Sequence, residues 1–160
     1  ETQMVHFGIM GCARIARKIC RAVSLGPNST LRAITSRSIE KAEAFAVENG
    51  LLKQGDKNKV RVYGSYIELV NDPFVDAIYM PLPTSLHVEW AVLAASKRKH
   101  LLLEKPTALD SSQLGLILEA CAVNGVQFMD GTMWYHHPRT AKMKEVLSAD
   151  ARHLGHVHWV

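Results

Sequence analysis

No apolar run in the 160 residues reaches membrane-spanning length. Leu101 to Leu103, one of the longer apolar stretches, falls far short of the roughly 20 residues a spanning helix needs. The N-terminus also lacks the basic-then-apolar pattern of a secretory leader. These absences argue against a membrane protein and for a cytoplasmic one. Cysteine is scarce: Cys12, Cys20 and Cys121 are odd in number and lack the close spacing of a zinc knuckle or a redox pair. A reducing compartment and no metal site follow. Basic residues outnumber acidic ones by 19 to 15, for a net charge of +4, but they form no dense run. That scatter disfavours nucleic acid and fits a phosphorylated small molecule.

What the chain does have is a repeating alternation. With 48% hydrophobic residues it can bury one substantial core. Met4 to Met10 is an apolar run that meets Gly8 and Gly11, and Ile15, Ala16, Ile19, Cys20 and Val23 follow at helical spacing. Gly26-Pro27-Asn28 stops that helix. Leu31 to Thr35 then predicts a second strand and Glu40 to Glu48 a second helix. The lysine-rich stretch from Lys53 to Lys59 reads as a surface loop. Val60 to Tyr63 and Ala77 to Met80 read as strands around a short helix at Tyr66 to Val70. Val88, Ala91, Val92 and Ala95 mark a further helix, His100 to Leu103 a buried strand, Leu114 to Cys121 another helix, and Val126 to Met129 a sixth strand.

Strands alternating with crossover helices require a parallel sheet, because parallel neighbours cannot be joined by a hairpin. The fold expected is therefore α/β, a doubly wound parallel sheet of the Rossmann type. Beyond Gly131 the rhythm changes: Thr140 to Leu147 predicts a helix and Gly155 to Val160 the opening of a strand. Residues 1–130 are read as the nucleotide-binding domain, and residues 131–160 as a connecting helix and the start of a second, α+β domain. His153, His156 and His158 match no common zinc spacing and lie in a strand-like alternation, so no metal is assigned to them.

The chemistry begins at the first strand-to-helix turn. In Gly8-Ile9-Met10-Gly11-Cys12-Ala13-Arg14-Ile15-Ala16, the residues Gly11, Ala13 and Ala16 occupy the three positions of G-x-G-x-x-G/A. Small residues let the backbone approach a pyrophosphate, and the helix start directs N–H groups at it. Gly11, Cys12, Ala13, Arg14 and Ile15 are thus the candidate phosphate cradle, with the methyl group of Ala13 crowding it slightly. An NAD-type domain places a carboxylate about 20 residues further on, to hold the ribose hydroxyls. Here no acidic residue lies between Glu1 and Glu40. The second strand ends instead in Thr35-Ser36-Arg37-Ser38, where Ser36 and Arg37 can hold a 2′-phosphate, so NADP is favoured over NAD. The missing carboxylate also weakens a methyltransferase reading, and the absence of a Tyr-x-x-x-Lys pair weakens a short-chain dehydrogenase reading.

Three stretches together carry a family resemblance: Gly8 to Ala16, Met80-Pro81-Leu82-Pro83-Thr84-Ser85-Leu86-His87, and Glu104-Lys105-Pro106. The chain resembles the Gfo/Idh/MocA oxidoreductases over nearly its whole length. Asp130 to Trp134 and His136 to Thr140 read most like the plant members. The resemblance implies that Lys105 is catalytic, facing the substrate hydroxyl beside the nicotinamide. It implies that Pro81, Leu82 and Pro83 line the cofactor with Ser85 and His87 nearby, that Glu104 contacts its ribose region, that Lys105 and Pro106 also belong to the cofactor site, and that Trp134 and Arg139 border the nicotinamide. The family often has Asn where this chain has Thr84. It also implies a carbohydrate-like substrate (a sugar, polyol or dihydrodiol) and a second domain that completes the site and the oligomer interface. A homo-oligomer is expected only with that domain present. The competing readings are a non-catalytic nucleotide-binding or regulatory module and a structural partner that associates through an uncovered sheet.

Overall fold

The computed structural model describes residues 3–52 and 60–148. The expected loop at Lys53 to Lys59, the strand at Gly155 to Val160 and the histidines 153, 156 and 158 lie outside the described residues.

Six strands form one parallel sheet: β1 (Val5–Met10), β2 (Ser29–Thr35), β3 (Arg61–Tyr63), β4 (Ala77–Met80), β5 (His100–Leu103) and β6 (Phe128–Asp130). Their spatial order is β3-β2-β1-β4-β5-β6. The connections carry α1 (Ala16–Leu25), α2 (Ile39–Glu48), α3 (Tyr66–Val70), α4 (His87–Ser96) and α5 (Ser111–Asn124). α6 (Pro138–Ser148) follows the sheet. The doubly wound α/β fold expected from the alternation is the fold observed.

Because successive side chains of a strand point to opposite faces, each central strand feeds two cores. Ile9, Ile34 and Tyr79 pack with Ala16, Cys20 and Val23 of α1 and with Phe45 and Ala46 of α2. Met10, Ala33, Ile78 and Met80 pack on the other face with Leu69 and Val70 of α3, Ala91 and Ala95 of α4, and Ile117 and Cys121 of α5. Full burial on both sides explains why β4 reads as the unbroken apolar run Ala77-Ile78-Tyr79-Met80.

The helix ends differ in a way that matters for the site. In α2 the Ser38 side chain accepts from the Lys41 N–H, and in α5 the Asp110 side chain accepts from the Gln113 N–H. At α1 the flanking residue is Ile15, no side chain caps the helix, and its first turn holds no acidic residue. The sixth strand begins at Phe128, two residues later than its apolar pattern suggests. Val126 is buried and apolar but folds back onto α5, its N–H donating to the Cys121 carbonyl.

Candidate functional site

In the strand order the direction of travel reverses between β1 and β4, so the segments leaving these two strands part toward opposite faces and open a crevice at the carboxyl end of the sheet. Everything the motifs single out up to Pro106 is delivered to that end. The strand ends are stitched together in order. The Gly11 N–H donates to the Thr35 carbonyl at 2.8 Å, the Ser36 N–H to the Tyr63 carbonyl at 3.3 Å, the Glu104 N–H to the Met80 carbonyl at 3.3 Å, and the Gly131 N–H to the Leu103 carbonyl at 2.7 Å. The hydroxyl of Thr35, fully buried, reaches the Ser65 carbonyl at 2.8 Å and fixes the end of β2 against the next turn.

At the first turn Gly11 has φ of +113°, a conformation that side chains rarely tolerate. A Cβ there would lie 3.0 Å from the Leu82 Cδ2, because the turn passes close against the loop leaving β4. Among the described residues, no hydrogen bond engages the backbone N–H groups of Cys12, Ala13, Arg14 or Ile15. Four consecutive unpaired donors at an uncapped helix start form a concavity for an anion. The Cys12 thiol lies over the end of β2, 3.8 Å from the Thr35 carbonyl. Burial raises its pKa, while Lys41 and Ser36 pull it back down.

Ser36 is buried at the end of β2 and Arg37 is exposed beside it. Arg37 stands against Tyr66, whose phenol is pushed up by burial and drawn partly back by that guanidinium. Tyr66 is itself wedged edge-on against Trp90, with ring centroids 5.1 Å apart. The exposed guanidinium therefore rests against a firm aromatic base just past the end of β2.

The loop leaving β4 has Pro81 and Leu82 buried and Pro83 and Ser85 exposed. At the end of β5, Lys105 and Pro106 are exposed, joined by a cis peptide bond, while Glu104 turns inward and is 8% exposed. The Tyr79 hydroxyl donates to Glu104 Oε1 at 2.6 Å, and the Lys105 N–H donates to Oε2 at 3.2 Å. Burial and the neighbouring Glu104 raise the pKa of Tyr79 well beyond the usual phenol range. The Glu104 carboxyl, expected at a cofactor ribose, is thus engaged by the protein's own core. His87 is likewise fully buried, with each ring nitrogen 3.0 Å from a backbone carbonyl. Trp134 and Arg139, both exposed, lie past β6, Trp134 in the turn before α6 and Arg139 in the first turn of α6.

Tyr79 belongs to none of the motifs, and Thr35 and Gly131 stand in the stretches Thr35 to Ser38 and Asp130 to Trp134 without being named as site residues. Gly131 permits a close approach: a Cβ there would lie 2.6 Å from the Leu103 carbonyl oxygen and 3.2 Å from the Glu104 Cα. Its signal in the sequence is only a glycine at the end of a strand. Among the described residues no group of three or more His, Cys, Asp and Glu side chains is placed to hold a metal ion, and no helix is long and apolar enough to cross a membrane.

A turn of unpaired amides after β1 and a lysine after β5, both at the carboxyl end of one parallel sheet, agree with the family comparison, in which residues 5–132 match the model for the GFO/IDH/MocA oxidoreductase family, NAD-binding Rossmann fold. The chain belongs to this family. Its Gfo/Idh/MocA relatives include an uncharacterised oxidoreductase of Rhizobium meliloti, 35% identical over 91% of this chain and 42% of the relative. Another is the D-xylose 1-dehydrogenase (NADP(+)) 2 of Haloferax volcanii, 33% identical over 90% of this chain and 42% of the relative. A solved 3-ketoreductase from Actinomadura kijaniata, in complex with TDP-benzene and NADP, superposes with a TM-score of 0.80 at 31% identity, covering 91% of this chain and 42% of that one. The chain thus spans about two fifths of the length of these relatives. They are bacterial and archaeal, and the expected likeness to plant members finds no support among them.

Proposed function

We propose that this chain is the cofactor-binding part of an NADP-dependent oxidoreductase acting on a hydroxyl carbon of a sugar, polyol or dihydrodiol. The observation that carries the reading is the row of four unpaired amides from Cys12 to Ile15 behind Gly11, at the same end of the sheet as the β5 terminus that precedes Lys105. Such donors, on half-buried and exposed residues and free of partners among the described residues, match the oxygens of a pyrophosphate. In this reading Ser36 and Arg37 hold the 2′-phosphate. Pro81, Leu82, Pro83 and Ser85 form the wall along the nicotinamide half. When bound, the nicotinamide supplies or accepts the hydride. Lys105 orients the substrate hydroxyl and manages its proton. Trp134 and Arg139 border the ring, and residues 131–160 lead into a second domain that holds most of the substrate contacts and the oligomer interface. The D-xylose dehydrogenase among the relatives supports the sugar-like substrate, and together with the NADP complex of the 3-ketoreductase it supports NADP.

Titration with NADPH and with NADH, followed by tryptophan fluorescence, tests the cofactor assignment. NADPH is expected to bind more tightly. Arg37→Ala should weaken NADPH by roughly 10- to 100-fold, the worth of a charge-assisted bond to phosphate, and leave NADH nearly unchanged. Equal weakening of both removes the 2′-phosphate role, and binding of neither removes the reading.

A further inference from the structure

His87 is the first residue of α4 and is fully buried. Its Nε2 lies 3.0 Å from the Leu82 carbonyl oxygen, in the loop leaving β4. Its Nδ1 lies 3.0 Å from the Thr107 carbonyl oxygen, just beyond Glu104-Lys105-Pro106. Those two loops lie side by side on the β4–β5 side of the proposed cofactor crevice, one carrying its wall and the other Lys105. Among the described residues, no other hydrogen bond joins the loop beyond Met80 to the loop beyond Glu104. Two carbonyl oxygens can both accept only from a ring that carries a proton on each nitrogen, and a ring so held leaves no nitrogen for a ligand. An imidazole is a rigid ring, so a shift of one carbonyl has to be answered by the other or break a buried bond.

We infer that His87 is a positioning residue that staples the loop lying along the cofactor to the loop carrying Lys105, so that filling the crevice orders both together. This deepens the cofactor reading above and rests on it. The Pro81–Pro83 loop meets the cofactor, His87 transmits its position, and Lys105 is held in place for substrate. The two nitrogens have separable stand-ins: the amide nitrogen of Asn sits near Nδ1 and that of Gln near Nε2.

The test is amide hydrogen exchange on the wild-type chain and on His87→Phe, His87→Asn and His87→Gln, each with and without NADPH. Without cofactor, His87→Phe should speed exchange in both the Leu82–Leu86 and the Thr107–Ala108 segments by at least about fivefold, the loss of one net hydrogen bond. His87→Asn should spare the Thr107 side and His87→Gln the Leu82 side. With NADPH, wild type should gain protection in both segments, whereas His87→Phe should gain it only at Leu82–Leu86. Should His87→Phe fail to fold, the Asn and Gln variants carry the same contrast. Equal protection of both segments by NADPH in wild type and variants overturns the staple while leaving the cofactor reading intact. Failure of NADPH to bind wild type removes the cofactor reading instead, and the cofactor-free arm still decides whether His87 ties the loops.

Discussion

Tyr79→Phe isolates one buried contact beneath the site. The substitution removes a hydroxyl and leaves the ring, so it opens no cavity of consequence. What it takes away is the 2.6 Å bond to Glu104 Oε1, between a fully buried tyrosine and a carboxyl that is 8% exposed. Glu104 then retains only the longer bond from the Lys105 N–H. A buried acceptor stripped of its partner costs about 1–3 kcal/mol, and for a contact this short and this enclosed about 2 kcal/mol is the expected loss. In urea, with a slope of roughly 2 kcal/mol/M for a domain of this size, the midpoint should fall by about 1 M with the slope unchanged. Tyr79→Phe combined with Glu104→Met should recover most of the loss, because removing both partners leaves nothing unsatisfied. A midpoint within about 0.2 M of wild type for Tyr79→Phe would refute the argument. So would a double variant worse than the single one.

Gly11→Ala places a side chain where φ is +113° and Leu82 is 3.0 Å away. It should cost about 1–3 kcal/mol of stability and weaken NADPH more than tenfold, read by denaturation and by titration; unchanged affinity would show that the turn is not the phosphate cradle. Alkaline pH should destabilise the chain through Cys20. Burial, with Cys12 nearby, raises this thiol from 9.0 to about 11, so its contribution is fully present below pH 9 and is lost as pH rises toward 11, about 2–3 kcal/mol in all. Lys99, lowered by burial, works in the opposite direction as pH approaches its ordinary range. Cys20→Ala should therefore flatten the fall in urea midpoint between pH 9 and 10.5, and an unaltered pH slope would discredit the assignment. Iodoacetamide should label half-exposed Cys12 before buried Cys20 and Cys121. Saturating NADPH should slow that first labelling severalfold, and mass spectrometry showing no protection would place the cofactor elsewhere.

The parts of this molecule that were legible in the sequence are those governed by local period. β4 at Ala77–Met80, β5 at His100–Leu103 and α3 at Tyr66–Val70 fall where apolar runs and spacing put them. The turn at Gly11 was legible for a similar reason: a tight strand-to-helix reversal demands small residues at fixed offsets. The arrangement beneath the site was not legible. Tyr79 reads as one more apolar residue of a buried strand, and nothing local announces that its hydroxyl meets a carboxyl 25 positions later. That pairing follows from β4 and β5 lying side by side in register, Tyr79 opposite Leu102 and Met80 opposite Leu103, which brings the end of β5 over the end of β4. His87 was singled out as a cofactor neighbour by its motif, yet the location of its two carbonyl partners depends on the paths of two loops in space. Side chains that act through long-range geometry carry no period, and periodicity is what a single sequence displays.

The bare turn at Gly11 carries a last implication, about how such a site is lost. Its donors are main-chain amides, present whatever side chain is attached, so exchanging polarity at Cys12, Ala13 or Ile15 leaves the cradle in place. Adding one methyl group at Gly11 meets a φ of +113° and the Leu82 side chain, and adding one at Gly131 meets the Leu103 carbonyl oxygen. Loss of the cradle is then a matter of backbone shape and space rather than of side-chain polarity, and an inhibitor gripping the same amides would meet few escape mutations that the native ligand could survive.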